Sequence, residues 1–180
     1  MLRRHVLSLI VATWWCSGSV RAAHAAYARR ILRDQHDAET SLADAAGGHS
    51  LVVVVMKGHW CPVCRDQLAR FASKKQELTS AGAKLVGLNT DAPAANRRML
   101  EDEGIECPVL SDETHELVSE LGLWLPREGH PLPAIVVFDR CGDEVARWVG
   151  RQPGDRPDSA VFRVLRRLAE ERRACSRPSA

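Results

Sequence analysis

The distribution of apolar positions predicts two strands that are buried on both faces and joined by a helix. Residues 51–56 form a continuous apolar run rich in valine, with none of the alternation expected of a half-buried strand. Residues 62–80 carry apolar side chains at helical spacing and end before Gly82, and residues 84–89 form a second, largely apolar run. These segments together predict a β-α-β unit, in which a helix connects two parallel strands.

Helices and strands alternate through the rest of the chain. A strand, a turn and a return strand are predicted over residues 134–149, which adds an antiparallel edge to the sheet. The order of elements predicts an α/β sandwich, in which one domain has a mixed central sheet with helices on both faces. The remaining predicted elements are helices over residues 91–104 and 112–121, a short extended segment over residues 107–110, and a last helix with Val161, Phe162, Leu165 and Leu168 on one face.

The N-terminal segment, residues 1–25, has the composition of a secretory signal peptide. A basic start with Arg3 and Arg4 precedes a mostly apolar run over residues 6–15, and Ala23-His-Ala25 fits a small-residue cleavage site. We expect cleavage there and export to the periplasm or the exterior. One alternative is an uncleaved membrane anchor, although the apolar run is shorter than the roughly 20 residues that span a bilayer. The other is a segment with no targeting role.

Removal of residues 1–25 changes the net charge of the chain from slightly positive to slightly negative. The 180 residues hold 25 Lys and Arg against 23 Asp and Glu, a net charge of +2, and residues 1–25 contain three arginines and no acid. The mature chain therefore has a net charge of −1, and no basic footprint for nucleic acid is expected. We predict four regions: a signal peptide over residues 1–25, an N-terminal helical extension over 26–45, the folded domain over 46–174 and a tail over 175–180.

The motif Cys61-Pro-Val-Cys64 lies where the first buried strand turns into the helix. Two intervening residues in a first helical turn bring two sulfurs close enough to form and break a disulfide. The unpaired N–H groups at a helix start favour a thiolate, and Cys61 lies at that start. The pattern indicates a redox pair, with Cys61 as the nucleophile and Cys64 as the resolving cysteine. Lys57 and His59 are expected to add positive charge beside it.

Two other uses of this cysteine pair stay open. A zinc site needs a second pair of ligands, and the sequence contains no other Cys-x-x-Cys and no His-x3-His. The other use is a purely structural disulfide. For a redox pair we expect no cofactor and no metal, and the expected partners are a thiol electron donor and a disulfide or peroxide substrate. No nucleic acid is expected, and a membrane is expected only if the N-terminal segment stays uncleaved.

Four segments in order along the chain carry a resemblance to a known family. Residues 58–65, 86–91, 108–112 and 133–139 resemble the peroxiredoxin-like branch of the thioredoxin superfamily, which contains the alkyl hydroperoxide reductases and thiol-specific antioxidant proteins. The resemblance implies a thioredoxin-like three-layer sandwich and an antioxidant-type thiol oxidoreductase that acts on peroxides or on disulfides. The competing interpretation is a non-catalytic thioredoxin-fold module that binds a protein partner and keeps its disulfide for structure.

The chain departs from the peroxiredoxin pattern around the cysteine pair. On that pattern Cys64 takes the nucleophile position, Cys61 replaces a Thr or Ser, and Lys57 replaces a Pro. The pattern's peroxide-activating arginine has no counterpart just before the later strand, although Arg127 and Arg147 lie nearby in the sequence. The peroxiredoxin pattern therefore nominates Cys64 as the nucleophile, whereas the position of Cys61 at the helix start nominates Cys61.

The chain also matches part of the thioredoxin pattern. Trp60 directly precedes Cys61, and Pro133 stands where that pattern has a cis-proline. The resemblance implies that Pro133 packs against the disulfide and offers a backbone edge to substrate, and we expect Trp60 to shield the sulfurs. The buried acid of the thioredoxin pattern is missing, because residues 51–56 are all apolar. The predicted catalytic residues are Cys61, Cys64, Pro133 and Trp60.

Three further cysteines are candidates to resolve an oxidised active-site cysteine. Cys175 lies on the predicted C-terminal tail, where it has the reach of a C-terminal resolving cysteine. Cys107 begins the predicted extended segment and Cys141 lies in the predicted turn, and both are interpreted as incidental small residues.

Overall fold

A seven-stranded mixed sheet forms the centre of the computed structural model, which describes residues 29–150 and 157–171. The strands of the structure are β1 (Leu32–Arg33), β2 (Glu39–Thr40), β3 (Ser50–Val55), β4 (Ala83–Asn89), β5 (Val109–Ser111), β6 (Trp124–Leu125), β7 (His130–Pro131), β8 (Ala134–Phe138) and β9 (Glu144–Val149). The central sheet has the order β2-β1-β5-β4-β3-β8-β9, and β6 and β7 form a separate two-stranded ribbon.

Six helices are found in the described residues. They are α1 (Leu42–Ala46), α2 (Pro62–Ala72), α3 (Lys75–Ser80), α4 (Pro93–Glu103), α5 (Glu116–Glu120) and α6 (Asp158–Glu171). Among them, none has the length and apolar composition that crossing a bilayer requires. The predicted signal peptide over residues 1–25 lies outside the described residues.

The predicted β-α-β unit is confirmed. β3 and β4 are parallel, with Val52 opposite Leu85, and α2 and α3 connect them. β5 continues the parallel set beside β4, whereas β8 is antiparallel to β3 and β9 is antiparallel to β8. The carboxyl ends of β3, β4 and β5 therefore meet at one edge of the sheet.

Packing on both faces of the sheet explains why β3 shows no alternation in sequence. Val52 and Val54 belong to an apolar cluster that contains residues of α2, α3, α4 and α6. Val53 and Val55 belong to a second cluster, which contains residues of α1 and α5. Every residue of β3 is buried. The predicted α/β sandwich, with a mixed sheet between two helical layers, is confirmed.

Gly87 of β4 lies where the core leaves little room for a side chain. A side-chain carbon at this position would lie 2.9 Å from Val109 Cγ2, and 3.4 Å from both Leu68 Cδ2 and Met56 Cε, which is close to ordinary van der Waals contact. Protein interiors are close-packed, so Val109 would have to move to accept a larger residue. The glycine therefore lets the Val109 side chain of β5 pack against β4.

The predicted helical extension over residues 26–45 is corrected where the structure describes it. β1 and β2 pair antiparallel, and β1 also pairs with β5, so this segment forms an edge of the central sheet. The carboxylate of Asp34 accepts the backbone N–H groups of His36 and Ala38 at 2.8 and 3.0 Å, which holds the turn between the two strands. A turn that is closed by a side-chain hydrogen bond of this kind competes with helix formation in the same segment. The folded domain thus begins before residue 46.

Two other helices are shorter than predicted. The helix predicted over residues 62–80 is divided into α2 and α3, because the backbone at Lys74 leaves the helical conformation. The helix predicted over residues 112–121 is reduced to α5, because His115 has a φ of 50°, in the left-handed region. Neither break moves a helix to the other face of the sheet.

Asp158 ties α6 to the end of α2 and gives the fold a pH dependence. Its carboxylate lies 3.4 Å from Arg70 Nε and 3.2 Å from Lys74 Nζ. Burial opposes ionisation of this carboxyl, but the hydrogen bonds from Arg70 and Lys74 outweigh it and lower the pKa of Asp158 below its ordinary 3.8. A carboxylate with a lowered folded pKa stabilises the protein above its unfolded pKa. That contribution is lost as the pH falls through the folded value.

We expect Asp158→Asn to lower the free energy of unfolding by about 1 kcal/mol at pH 7. The loss should shrink as the pH falls below about 4, because the wild-type carboxyl is then being protonated. Urea unfolding of both proteins at pH 7 and at acidic pH measures the difference. Glu170→Gln removes a carboxylate from the exposed face of the same helix and should change stability by less than about 0.5 kcal/mol. Equal losses in the two variants would contradict the role of Asp158.

Candidate active site

The cysteine pair lies at the point where β3 passes into α2. Residues 57–61, here called the redox turn, connect the two elements, and Cys61 is the N-cap of α2 with Pro62 in its first turn. Cys61 and Cys64 form a disulfide, with their Cα atoms 5.3 Å apart. Their exposed fractions are only 7% and 3%. The predicted juxtaposition of the two sulfurs is therefore present in the structure.

The local hydrogen bonds distinguish the two sulfurs. The Cys64 backbone N–H points to Cys61 Sγ at an N–S distance of 3.3 Å. Cys61 thus occupies the position of a capping side chain, in which an N–H group and the positive end of the helix face its sulfur. When the disulfide opens, this arrangement favours negative charge on Cys61. The assignment of Cys61 as the nucleophile stays a prediction.

Two apolar side chains of the motif are exposed beside the buried sulfurs. Trp60 is 54% exposed and Val63 is 45% exposed. The Trp60 indole packs over Gly58, where a side-chain carbon would lie 2.9 Å from its Cδ1. It also meets the imidazole of His130 edge-on, with ring centroids 5.9 Å apart. Trp60 therefore connects the redox turn to the β6-β7 ribbon, and the shielding of the sulfurs expected of it stays a prediction.

Asp91, at the start of the helix predicted over residues 91–104, contacts the redox turn. Its Oδ2 accepts the His59 backbone N–H at 2.6 Å and lies 3.2 Å from His59 Nδ1. His59, which was expected to add positive charge beside the cysteine pair, thus lies next to a carboxylate. The signal that identifies Asp91 is its place after β4, because parallel neighbours β3 and β4 end at the same edge of the sheet.

Pro133 differs from the expected cis-proline. The described residues contain no cis peptide bond, so the Leu132–Pro133 bond is trans. The Leu132 N–H donates to the Leu123 carbonyl at 2.7 Å, and the Pro133 carbonyl accepts the Gly150 N–H at 2.8 Å. These two hydrogen bonds engage the Leu132 N–H and the Pro133 carbonyl inside the fold. The expected cis bond is therefore corrected, whereas the backbone edge offered to substrate and the contact of Pro133 with the disulfide stay predictions.

The two arginines near the later strand, Arg127 and Arg147, lie in different environments. Arg147 lies on β9 and donates to both carboxylate oxygens of Glu144, at 2.8 and 2.6 Å, and to the Leu121 carbonyl. Leu121 belongs to the apolar cluster on the face of the sheet opposite α2. Arg127 is exposed beside the β6-β7 ribbon. Arg147 is thus engaged away from the cysteine pair.

The other cysteines have different environments. Cys107 is a free thiol that packs against the apolar cluster below α2. Burial raises the pKa of the Cys107 thiol from 9.0 to about 12. Cys141 is disulfide-bonded, so its sulfur is not a free resolving thiol. Cys175 lies outside the described residues.

We expect Cys107 to react slowly with alkylating reagents in the folded protein. A pKa of about 12 in place of 9.0 leaves a thiolate fraction about a thousandfold smaller at pH 8. Iodoacetamide labelling followed by peptide mass spectrometry should therefore modify Cys107 at least about a hundredfold more slowly in the native protein than in guanidinium chloride. Similar rates in the two conditions would show that this thiol is accessible and ionised.

The described part of the chain offers no ready metal centre. Within residues 29–150 and 157–171, no three side chains of His, Cys, Asp or Glu are grouped as metal ligands. The predicted zinc alternative would need such a group around Cys61 and Cys64.

Comparison with known proteins relates the chain to the AhpC/TSA family and to peroxiredoxins. The model of the AhpC/TSA family matches residues 24–143. Peroxiredoxin Bcp of Escherichia coli K12 is 32% identical over 93 residues, which are 52% of this chain and 59% of that protein. Peroxiredoxin-4 of Dictyostelium discoideum is 26% identical over 113 residues, which are 59% of this chain and 44% of that protein. The chain thus spans about half the length of the curated relatives it matches.

A solved structure shows the same architecture. The bacterioferritin comigratory protein of Xanthomonas campestris, studied for its alkyl peroxide reduction activity, superposes with a TM-score of 0.70 at 20% sequence identity. The match covers 81% of this chain and 95% of that one. The predicted thioredoxin-like sandwich of the peroxiredoxin type is confirmed.

Proposed function

Because the chain belongs to the AhpC/TSA family, we propose that it reduces peroxides with electrons from an external thiol, through Cys61 and Cys64. The observation that carries this proposal is the disulfide between the two cysteines at the start of α2. A disulfide between two cysteines of one helical turn can be reduced and formed again without movement of the rest of the fold.

The reaction divides into three balanced steps. The Cys61 thiolate attacks one peroxide oxygen, the O–O bond breaks, and the sulfur is oxidised to a sulfenic acid while an alcohol or water leaves with a proton. The Cys64 thiol then attacks the sulfenic sulfur, so that the S–O bond breaks and water is released as the disulfide forms. Two thiols of the external donor return two electrons and two protons, and are themselves oxidised to a disulfide.

Dithiol–disulfide exchange with a polypeptide is a second candidate function. The observation in its favour is the exposure of Trp60 and Val63 on either side of the buried sulfurs. Large exposed apolar side chains are typical of contact surfaces for other chains. In this function the bond formed is a mixed disulfide, and Cys64 releases the reduced polypeptide.

The two candidate functions predict different oxidants as the fastest to oxidise the thiols of Cys61 and Cys64. The reduced protein is mixed with hydrogen peroxide or with oxidised glutathione, quenched with acid, and alkylated for mass spectrometry of the cysteine pair. We expect peroxide to form the disulfide at least about a hundredfold faster than it oxidises free cysteine, since the helix start favours the thiolate. Peroxide oxidation at the rate of free cysteine would contradict peroxidase activity. A reduction potential below about −300 mV would favour the purely structural disulfide.

We also propose that the protein is exported and that its mature form begins near Ala26. Support comes from the basic start, the short apolar run and the Ala23-His-Ala25 motif. In an oxidising compartment the external thiol donor must be supplied by another reductase system. N-terminal sequencing of the protein from its native host should recover the shortened chain, whereas intact Met1 in the soluble cytosolic fraction would contradict export.

A further inference from the structure

Asp91 connects the loop after β4 to the backbone of the redox turn. Its Oδ2 accepts the His59 N–H at 2.6 Å, and a side-chain carbon on Gly58 would lie 3.0 Å from the same oxygen. A carboxylate that accepts a backbone N–H at this distance makes a strong, charge-assisted hydrogen bond. The turn that leads into Cys61 is therefore held from the neighbouring strand and not only by its own residues.

Asp91 is itself fixed by a buried polar network. Its backbone N–H donates to Asn89 Oδ1 at 3.2 Å. The side-chain amides of Asn89 and Asn96 exchange two hydrogen bonds, at 2.7 and 2.9 Å, and Asn96 also donates to Ser111 Oγ at 2.9 Å. Both asparagines are fully buried. The network joins β4, α4 and β5, so the position of Asp91 relative to the sheet is well determined.

The same carboxylate changes the charge beside the nucleophile. Asp91 Oδ2 lies 3.2 Å from His59 Nδ1, and His59 precedes Cys61 by two residues, a span of at most roughly 7 Å along the chain. The Asp91 carboxylate places negative charge on this side of the redox turn, which makes the surroundings of Cys61 less favourable to a thiolate.

Other charged groups lie on the elements around the redox pair. Arg65 of α2 pairs with Glu103 of α4 at 2.9 Å, and His130 of the β6-β7 ribbon lies 3.2 Å from Glu128. Lys57 belongs to the redox turn and is half-buried.

We propose that Asp91 is a positioning residue for the redox pair, which fixes the redox turn through the His59 backbone and offsets positive charge beside Cys61. This inference rests on the proposed function, because it assumes that Cys61 and Cys64 are the redox pair. It assigns Asp91 no contact with substrate.

Two substitutions separate the two effects of Asp91. Asp91→Asn removes the charge but keeps an oxygen that can accept the His59 N–H, whereas Asp91→Ala removes both. Two quantities are measured in the full chain without any peroxide. One is the rate of iodoacetamide alkylation of Cys61 at pH 6.5 in the reduced protein, and the other is the equilibrium of the disulfide with glutathione. Because neither needs peroxide turnover, a failure of the proposed peroxidase activity is a separate result.

We expect alkylation of Cys61 to become about three- to tenfold faster in both variants, because both remove the same negative charge from a partly exposed site. In Asp91→Asn the glutathione equilibrium should shift toward the dithiol by a similar factor. In Asp91→Ala it should shift by a further factor of about three to ten, because the loosened turn lowers the effective concentration of one sulfur at the other.

Asp139 provides a matched control at the opposite edge of the sheet. Its buried carboxylate accepts the N–H groups of Cys141 and Asp143 at 2.8 and 3.0 Å in the turn after β8. Asp139→Asn should leave both measured quantities unchanged, even if it lowers the melting temperature. Should Asp91→Ala not fold, Asp91→Ser tests the same step with a weaker acceptor. The proposal would be overturned if the Asp91 variants kept the wild-type rate of Cys61 alkylation and the wild-type disulfide equilibrium with glutathione. It would also be overturned if Asp139→Asn changed these two quantities as much as the Asp91 variants do.

Discussion

Cys61→Ser should reduce peroxide consumption at least about a hundredfold, because a serine hydroxyl is not ionised at neutral pH and cannot replace the thiolate. Cys64→Ser should keep the first attack, since the nucleophile and its position at the helix start are unchanged. It should accumulate a sulfenic acid on Cys61, or a mixed disulfide with substrate, because the resolving thiol is missing. Stopped-flow consumption of peroxide, with mass spectrometry of the oxidised protein, measures both results.

This experiment has a control variant, and one result would reverse the assignment of the nucleophile. Cys107→Ser removes a half-buried thiol with a raised pKa of about 12 and should leave peroxide consumption within a factor of two or so of the wild-type rate. If Cys61→Ser keeps rapid consumption while Cys64→Ser loses it, the nucleophile is Cys64, as the peroxiredoxin pattern suggests. The capping hydrogen bond from Cys64 N–H to Cys61 Sγ would then have no part in activating the attacking sulfur.

Phe71→Ala should be among the most destabilising single substitutions in the chain. Phe71 lies on α2, is fully buried and stacks on Phe162 of α6, with ring centroids 6.1 Å apart. Removing a buried phenylalanine side chain costs about 3–5 kcal/mol, because the transfer free energy is lost and a cavity is left. Denaturant unfolding followed by circular dichroism measures the loss.

Ile31→Ala is the corresponding control for this prediction. Ile31 is also a large apolar residue, but it is 62% exposed, so its substitution should change the free energy of unfolding by less than about 0.5 kcal/mol. A loss below about 1 kcal/mol for Phe71→Ala would indicate that α6 is not firmly packed on α2.

The parts of the fold that could be predicted from the sequence are those specified by local pattern. The valine run over residues 51–56 predicts a strand buried on both faces because each face of β3 packs against its own helical layer. The cysteine pair is recognisable because its spacing, its neighbouring strand and its helix start are all local features. The strands β1 and β2 were missed because each has only two residues, too few to show a period.

The parts of the candidate site that were missed depend on tertiary pairing. The contact between Asp91 and His59 joins residues 32 positions apart, and only the parallel pairing of β3 and β4 brings them together. At Pro133 the expected cis bond came from family resemblance. The structure has a trans bond there, and the hydrogen bonds of its flanking groups to Leu123 and Gly150 are tertiary contacts that a linear pattern does not show.

The glycine at position 87 marks a point where the core leaves no room for a larger residue. A side-chain carbon there would lie 2.9 Å from Val109 Cγ2 on the neighbouring strand β5. Val109 belongs to the same apolar cluster as Cys64 and Leu68 of α2. Any residue larger than glycine would therefore disturb the packing of the cluster that also contains one of the two sulfurs.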